Sequence, residues 1–526
     1  MGKIKKFQKI KWIGSGEFPH VTFVRGPIVA SMGAVNNEAV PSISLAYLSA
    51  MVARAGYEFS WVDAIAEGLG QFHPLETHPG YQCQGLGLEE IVERIPRDTG
   101  VIGINAMFSG EWPVTRKLIN MLRARFPEAL IIAGGEHVTA LSEFSLTDCP
   151  ALDIIVRGEG EQILVDCLEN LRNTNPQFRV NGIAFLDDDG TYQQPSDLQR
   201  VRNADTLPWP HWPNGYLEKF WQAGKSAGVL TDRDMPMIIS RGCPFQCSFC
   251  SSPGMWTTRY VLRGVEDVIK EIKFYIDKYD VTSIQLYDLT AITKKKWIIE
   301  FCQRLLEEEI DLFWSVPQGT RSEILDQETL SLLKKTGCHY LVYAPESGSP
   351  RILEKIRKQV KLPNLVESVM VARRQGLVLR INLIIGFPGE TRNDVLKTAL
   401  FGLKMATKGV DEISTNIFSP YPGSELFDDL KGSGVLTVSD EYFLALTSLN
   451  SDFAKFNPLT FNEFMGPREL AIYRLLLLIS CYFLSYMLYP HRIIRTLKNW
   501  KTGDAAATVF EHRIGDAIKR CWSFNK

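Results

Sequence analysis

The chain has 526 residues, 45% of them hydrophobic and 22% charged, too many for a single core and enough for two or three domains. A formal net charge of −2 excludes a general basic excess, so an extended polyanion such as nucleic acid is not an expected partner. Of ten cysteines, seven stand singly (Cys83, Cys149, Cys167, Cys302, Cys338, Cys481, Cys521), and the N-terminal "MGKIKKFQKIKW" has no apolar signal core; disulfides are not expected, and a reducing cytoplasm is.

From Val21 to Asp188, short apolar runs ("VTFVRGP", "YEFSWVDA", "VIGINAM", "ALIIAGG", "DIIVRGEG") alternate with segments whose apolar residues recur every three or four positions. That rhythm predicts an α/β, Rossmann-like doubly wound parallel sheet. It is assigned to residues 1–190 and ends in a hairpin turned at Asp189 and Gly190. The "GSG" at Gly14 to Gly16 lacks a third glycine in register and does not specify a dinucleotide. "LPWPHWPNG", Leu207 to Gly215, can continue neither a helix nor a central strand, so 191–234 reads as a linker.

Over 235–437 a second series follows, with strands expected at "MIISRG", "SIQLYD", "LFWSVP", "YLVYAP", "LRINLIIGF" and "EISTNIF" and helices between them. The spacing is that of a partial (β/α)6 TIM barrel, whose chemistry belongs at the C-terminal ends of its strands. Residues 438–526 read as a small, mainly helical C-terminal cap. Within it "LLLLISCYFLSYMLY", Leu475 to Tyr489, would reach about 22 Å as a helix against a hydrocarbon core of about 30 Å, short of a span. A buried helix and an interfacial segment both stay open there, and the basic "HRIIRTLKNWK" behind it favours contact with a membrane surface.

The first strand of the second series runs into "SRGCPFQCSFC", which holds Cys243, Cys247 and Cys250. Zinc wants four ligands, usually from paired C-x-x-C elements, and the nearest histidines, His211 and His339, are distant. Three thiols in a Gly- and Pro-containing turn also fill a core poorly. Three cysteines holding a [4Fe–4S] cube would leave one iron open to a small molecule.

The spacing C-x3-C-x2-C, with Phe249 before the last cysteine, resembles the signature of radical S-adenosylmethionine (radical SAM) enzymes. That resemblance implies that Cys243, Cys247 and Cys250 ligate the cluster as the metal and catalytic centre, with Phe249 near the adenine of SAM. It implies that Asp288 and Thr290 of "YDLTAIT" reach the SAM amino group and that Arg321 of "QGTRSE" meets its carboxylate, an anion suited to a guanidinium fork. By the same resemblance Glu346 and Ser347 of "APESGS" bind the ribose, Gly386 and Gly389 of "IIGFPGET" lie at the adenine, and "SPYPGSEL" forms the turn after the sixth strand. A helix N-cap for Asp288 and Thr290, and a surface ion pair for Arg321, are the plainer alternatives.

In the first domain the glycine-permissive turns where ligands of such sheets sit are "RGPIVASMGAVNNEAVPS", "NAMFSGEW", "AGGEHVTA" and "VRGEGEQ". "IIAGGEHVTA" followed by "DIIVRGEGEQIL" resembles the cobalamin-binding domain of cobalamin-dependent radical SAM enzymes, near the anaerobic magnesium-protoporphyrin monomethyl ester cyclase and hopanoid-modifying branches. The resemblance implies corrinoid contact for Met107, Phe108, Ser109, Gly134, Gly135, Glu136, His137, Gly158 and Glu159. The D-x-H-x-x-G motif of classical cobalamin methyltransferases is absent, so no protein histidine is expected below the cobalt.

The activity implied is reductive cleavage of SAM at the cluster to a 5′-deoxyadenosyl radical, then methyl transfer from methylcobalamin to an unactivated carbon of a small molecule. Oxidative cyclisation or other radical modification of an apolar tetrapyrrole or lipid is the alternative within the family. A tRNA methylthiotransferase would need a second cysteine set, and a non-catalytic zinc or corrinoid protein would be separated by metal content. The implied partners are a small-molecule substrate, apolar in the family's cyclase and hopanoid branches, and an electron donor such as flavodoxin or ferredoxin; the expected location is the cytoplasm, with peripheral membrane contact through the C-terminal segment.

Overall fold

The computed structural model describes residues 20–34, 39–172, 180–225, 232–448 and 457–502, with residues 508 and 511. Gly14 to Gly16 and Cys521 lie outside the described residues.

The first domain contributes β1 (His20–Arg25), β2 (Ile28–Ser31), β3 (Phe59–Asp63), β4 (Phe72–Pro74), β5 (Tyr81–Gln84), β6 (Thr99–Asn105), β7 (Leu130–Gly134), β8 (Ile154–Val156), β9 (Ile183–Leu186) and β10 (Tyr192–Gln193). Strands β3-β1-β6-β7-β8 run parallel in that order, and β9 and β10 extend the sheet antiparallel. Helices cover both faces, which is why β7 reads as an unbroken apolar run, buried from Leu130 to Ala133. Strand order reverses between β1 and β6, and a crevice opens at such a reversal beyond the strands' C-terminal ends. The stretch beginning "RGPIVAS" is not a ligand turn throughout: Ile28–Ser31 pairs with β5, and with β4 forms a separate antiparallel sheet.

The second domain contributes β11 (Asp234–Met237), β12 (Ser240–Arg241), β13 (Val261–Leu262), β14 (Ser283–Leu286), β15 (Phe313–Thr320), β16 (Cys338–Glu346), β17 (Val378–Ile385) and β18 (Glu412–Ile417). Six parallel strands run in the order β11-β14-β15-β16-β17-β18, and β11 and β18 stay unpaired with each other, so the barrel is open. The first strand differs from "MIISRG". It ends at Met237, and Ser240–Arg241 pairs instead with β13. The cause is Asp288, whose carboxylate takes the Ile239 and Ser240 amides and so turns the chain out of the ladder.

The C-terminal region is not one cap. The helix Asp440–Ser448 packs on the first domain, where Asp440 pairs with Arg116 at 2.6 Å and Phe443 meets the His137 ring edge-on at 5.2 Å. The helix Pro467–Leu488 packs instead on β18 and the helix Arg392–Thr407. Gly402 permits that approach, since Cys481 Sγ and Leu477 Cδ2 lie 3.4 and 3.5 Å from where a Cβ would stand. The helix has 22 residues, not the fifteen of the apolar run, because Pro467 starts it a full two turns earlier; by length and composition alone it could cross a membrane.

Candidate active site

The cysteine loop follows Gly242, whose φ of +82° puts it in the left-handed region that favours glycine. The loop is pinned at Ser248, whose amide donates to Ile356 O at 3.1 Å and whose carbonyl accepts from the Leu426 amide at 3.0 Å. Burial pushes all three thiols up, and each also feels a neighbouring cysteine of the set, so the three converge on one region. Lys358 and Arg321 oppose the rise at Cys243 and Cys247. Among the described residues no three Cys, His, Asp or Glu side chains gather around a point where a single ion would sit. A cube suits a spread set, each cysteine holding its own iron. Cys83, Cys149 and Cys167 are buried in three separate cores, so they form no second cluster set.

Around the loop, Phe249 packs edge-on against Phe387 at 5.8 Å, and Lys358 Nζ stands 5.8 Å from the centre of the Phe249 ring. Arg321 lies over Phe245 with Cζ 3.9 Å from the ring centre, and donates to Glu323 and the Gln359 carbonyl. Glu346 ends β16 at a bulge with φ +68°, a strained conformation for a non-glycine residue and one that clusters at functional sites. Its carboxylate accepts from Lys358, whose side chain is 13% exposed, at 2.9 Å.

The hydroxyls of Ser248, Thr290 and Thr320 and Oε1 of Glu390 are buried without a partner. Orphaned polar atoms at the C-terminal end of the barrel beside three thiols fit a polar ligand bound there, as SAM on a cluster would be. Gly386, at φ +88°, and Gly389, at φ +71°, form the neighbouring turn; Glu390 closes it by accepting from the Gly386 and Phe387 amides, and burial pushes its carboxyl up to about 7.

Several expected contacts are corrected. Asp288 accepts from the Ile239 and Ser240 amides and the Ser240 hydroxyl, chiefly through Oδ1, and burial raises it to about 6; it braces the loop's entry. The Ser347 hydroxyl bonds Thr398 and the Ser349 amide, a turn brace with no exposed surface. His137 is stacked by Trp112 at 4.6 Å, its Nδ1 is 3.0 Å from Ser109 Oγ, and burial lowers it to about 3. Both His137 and Ser109 are therefore core groups that knit the first domain to the helix Asp440–Ser448. Glu159 Oε2 accepts from Arg200 at 2.9 Å and the Val201 amide at 2.6 Å, fixing the linker, while its Oε1 is buried without a partner.

Of the remaining first-domain candidates, Glu136 and Gly158 meet residues that follow the cysteine loop. Gly135, at φ +134°, lets the β7 turn close on the end of β6 at Ala106 and Met107. From that turn Glu136 accepts a hydrogen bond from Ser251, next to Cys250. A Cβ on Gly158 would come 3.7 Å from Met255 O, and Gly134 ends β7 beside Val156. Phe108 remains 54% exposed beyond β6, an apolar ring at the switch-point crevice that fits the flat face of a corrinoid. Sequence reading missed Lys358, Ser251, Tyr260 and Asn462. Tyr260 donates toward the Thr290 and Ala291 carbonyls at 3.2 Å, and Asn462 Nδ2 donates to the Phe387 and Glu390 carbonyls at 2.6 and 2.9 Å. Only Lys358 had a signal, as a cation in "KIRKQVK" shortly after the Glu346 turn.

Family comparison matches residues 237–402 to the radical SAM superfamily and 31–168 to the B12 binding domain. An uncharacterized methyltransferase of Pyrococcus horikoshii is 28% identical over 78% of this chain and 82% of its own length. The cytidylyl-2-hydroxyethylphosphonate methyltransferase of Streptomyces wedmorensis is 26% identical over 76% of this chain and 80% of its own. In fold, the chain is similar to the radical SAM methyltransferase TsrM of Kitasatospora setae, with a TM-score of 0.59 at 16% identity, covering 80% of this chain and 77% of that one. The three-cysteine loop, the sheet in front of it and these matches agree: the chain belongs to the cobalamin-dependent radical SAM enzymes, whose cofactors are a [4Fe–4S] cluster, SAM and cobalamin.

Proposed function

We propose that this enzyme methylates an unactivated carbon of a small molecule, drawing electrons from a reduced donor such as flavodoxin or ferredoxin and touching a membrane peripherally through its C-terminal helices. The observation that carries the reading is the Ser251–Glu136 hydrogen bond, which joins the cluster loop to the cobalamin-side turn so that both cofactors open on one space. When bound, the cluster supplies the electron that cleaves SAM, and cobalamin supplies the methyl group.

The chain's own residues bind and orient. Cys243, Cys247 and Cys250 hold the cluster. Arg321, already flattened on Phe245, offers its guanidinium to the SAM carboxylate, and Thr290 offers its orphaned hydroxyl to the amino group. Glu346, held by Lys358, faces the ribose, and the Gly386–Glu390 turn borders the adenine with Phe249. Met107, Phe108, Gly134, Gly135, Glu136 and Gly158 line the corrinoid side. Trp112, Phe443 and His137 seal that side from beneath, keeping water from the reactive space.

The test is anaerobic reconstitution followed by turnover with SAM, cobalamin and cell extract, read by mass spectrometry. A brown protein with about four irons per chain that adds one methyl to a metabolite supports the reading. Loss of hydrogens without methyl gain supports oxidative cyclisation instead, and a colourless protein that binds zinc ends both.

A further inference from the structure

The helix Pro467–Leu488 turns Leu470, Ala471, Leu477 and Cys481 inward. Its outer side carries an apolar stripe: Ile472, Leu476, Ile479, Phe483 and Met487 recur every three or four residues and are 47 to 68% exposed. Such a stripe runs about 22 Å at 1.5 Å per residue. Leu396 and Leu400, on the adjoining helix Arg392–Thr407, are each more than half exposed and widen it. Ile494 and Leu497, on the helix His491–Thr502, are 69% and 58% exposed and lengthen it. A continuous apolar face of this kind on a protein surface marks a contact.

Charge identifies the partner. Between Leu470 and Thr502 the sequence has no Asp or Glu, while the helix His491–Thr502 carries Arg492, Arg495 and Lys498. Arg492 and Arg495 are shared with Asp411 at 3.2 and 3.8 Å, and Arg495 also meets Glu511 at 3.2 Å. Lys397 and Lys404 are exposed beside Leu396 and Leu400, and the nearby Glu469 is taken by Arg392 at 2.6 Å. Lys397, Lys404 and Lys498 are exposed cations beside the apolar face. Two copies of the chain meeting through it would bring like charges together, which costs binding energy. An anionic surface with an apolar layer beneath it matches both features.

We infer that this face docks on an anionic phospholipid bilayer, with the helix Pro467–Leu488 lying flat at the headgroup level. It does not cross, because a third of its apolar window is buried against the barrel (33%) and Arg474 lies on its buried side. This deepens the peripheral contact proposed above and is independent of the chemistry. The active-site turn is tied to the docked element, since Leu470 of the same helix packs on Gly386, 2.9 Å from where a Cβ would be.

The test is flotation of the reconstituted full chain with phosphatidylcholine vesicles, with and without phosphatidylglycerol. The chain should float with the anionic vesicles, float far less with neutral ones, and release at least tenfold as salt is raised. Ile479→Ser with Phe483→Ser should cut binding at least tenfold while circular dichroism and SAM cleavage in buffer stay unchanged. Absence of flotation with anionic vesicles, equal binding to neutral ones, or full binding by the double variant overturns the inference. So does a dimer in light scattering that Phe483→Ser dissociates. Because the salt series uses the unaltered chain, a variant that misfolds does not remove the test. Loss of SAM cleavage with flotation intact would sink the catalytic reading alone.

Discussion

Ser251 donates to Glu136, so the residue after the last cluster cysteine is tied to the turn that closes the cobalamin-side sheet. Burial raises the Glu136 carboxyl, and the Ser251 hydroxyl works against that rise. Glu136→Ala should leave the iron content unchanged and weaken cobalamin retention severalfold, because the bond holds the two halves of the mouth together; gel filtration with cobalt and iron analysis measures both. Loss of iron alone would show that Glu136 serves the cluster loop instead.

Cys247→Ala should drop iron to background and abolish SAM cleavage. Two thiols cannot hold the cube, and Cys247, only 9% exposed, is the middle cysteine of the three in sequence. Iron assay and chromatography of the nucleoside product give the answer. Cys302→Ser, in a buried core position, should keep its iron and its cleavage activity.

Lys358→Met should destabilise the barrel by about 3 to 5 kcal/mol, the usual cost of leaving one member of a buried pair alone. Glu346 would lose its 2.9 Å partner. Adding Glu346→Gln should restore much of the lost stability in denaturant titration while leaving SAM binding weak, because the second change removes the stranded charge without restoring the ribose acceptor.

Asn462→Ala should weaken SAM binding about fivefold, about 1 kcal/mol for a lost hydrogen-bond partner, with kcat nearly unchanged. The side chain clamps the Phe387 and Glu390 carbonyls from outside the barrel and acts only through the shape of that turn. Equilibrium dialysis with labelled SAM separates the two effects.

The pH dependence of unfolding carries a signature of Asp288. Burial first, against hydrogen bonds from Ser240 and Ile239, raises its carboxyl from 3.8 to about 6. The folded state therefore keeps a proton that the unfolded chain has already lost, and stability falls as pH rises from about 4 to about 6, then levels off. Glu390, raised to about 7, adds a similar fall over an overlapping range. Asp288→Asn, which keeps an acceptor, should flatten the first part of the curve in melts of the metal-free protein; an unchanged curve would show that the group is not buried as a carboxyl.

The radical SAM half was the more legible of the two. Cysteine spacing is a local property, and so are the glycine turn at Gly386 and the alternation that made six strands visible. The same locality misled at Asp288, Ser347 and His137. Each is a polar residue at a strand end, which is where a ligand would be expected. Whether its hydrogen-bonding atoms remain free depends on what packs against them from elsewhere: the Ile239 and Ser240 amides after the neighbouring strand, Thr398 from a later helix, Trp112 and Phe443 from another helix and the C-terminal region.

What the sequence by itself determined is the chemistry, because three thiolates in one short loop can be read without knowing what surrounds them. The tertiary structure alone decided which polar groups are still available to a ligand, that Lys358 and Asn462 hold Glu346 and the Phe387 carbonyl, and that one side of the helix Pro467–Leu488 stays uncovered. Availability is the outcome of competition among partners brought together from distant parts of the chain, and no local pattern records it.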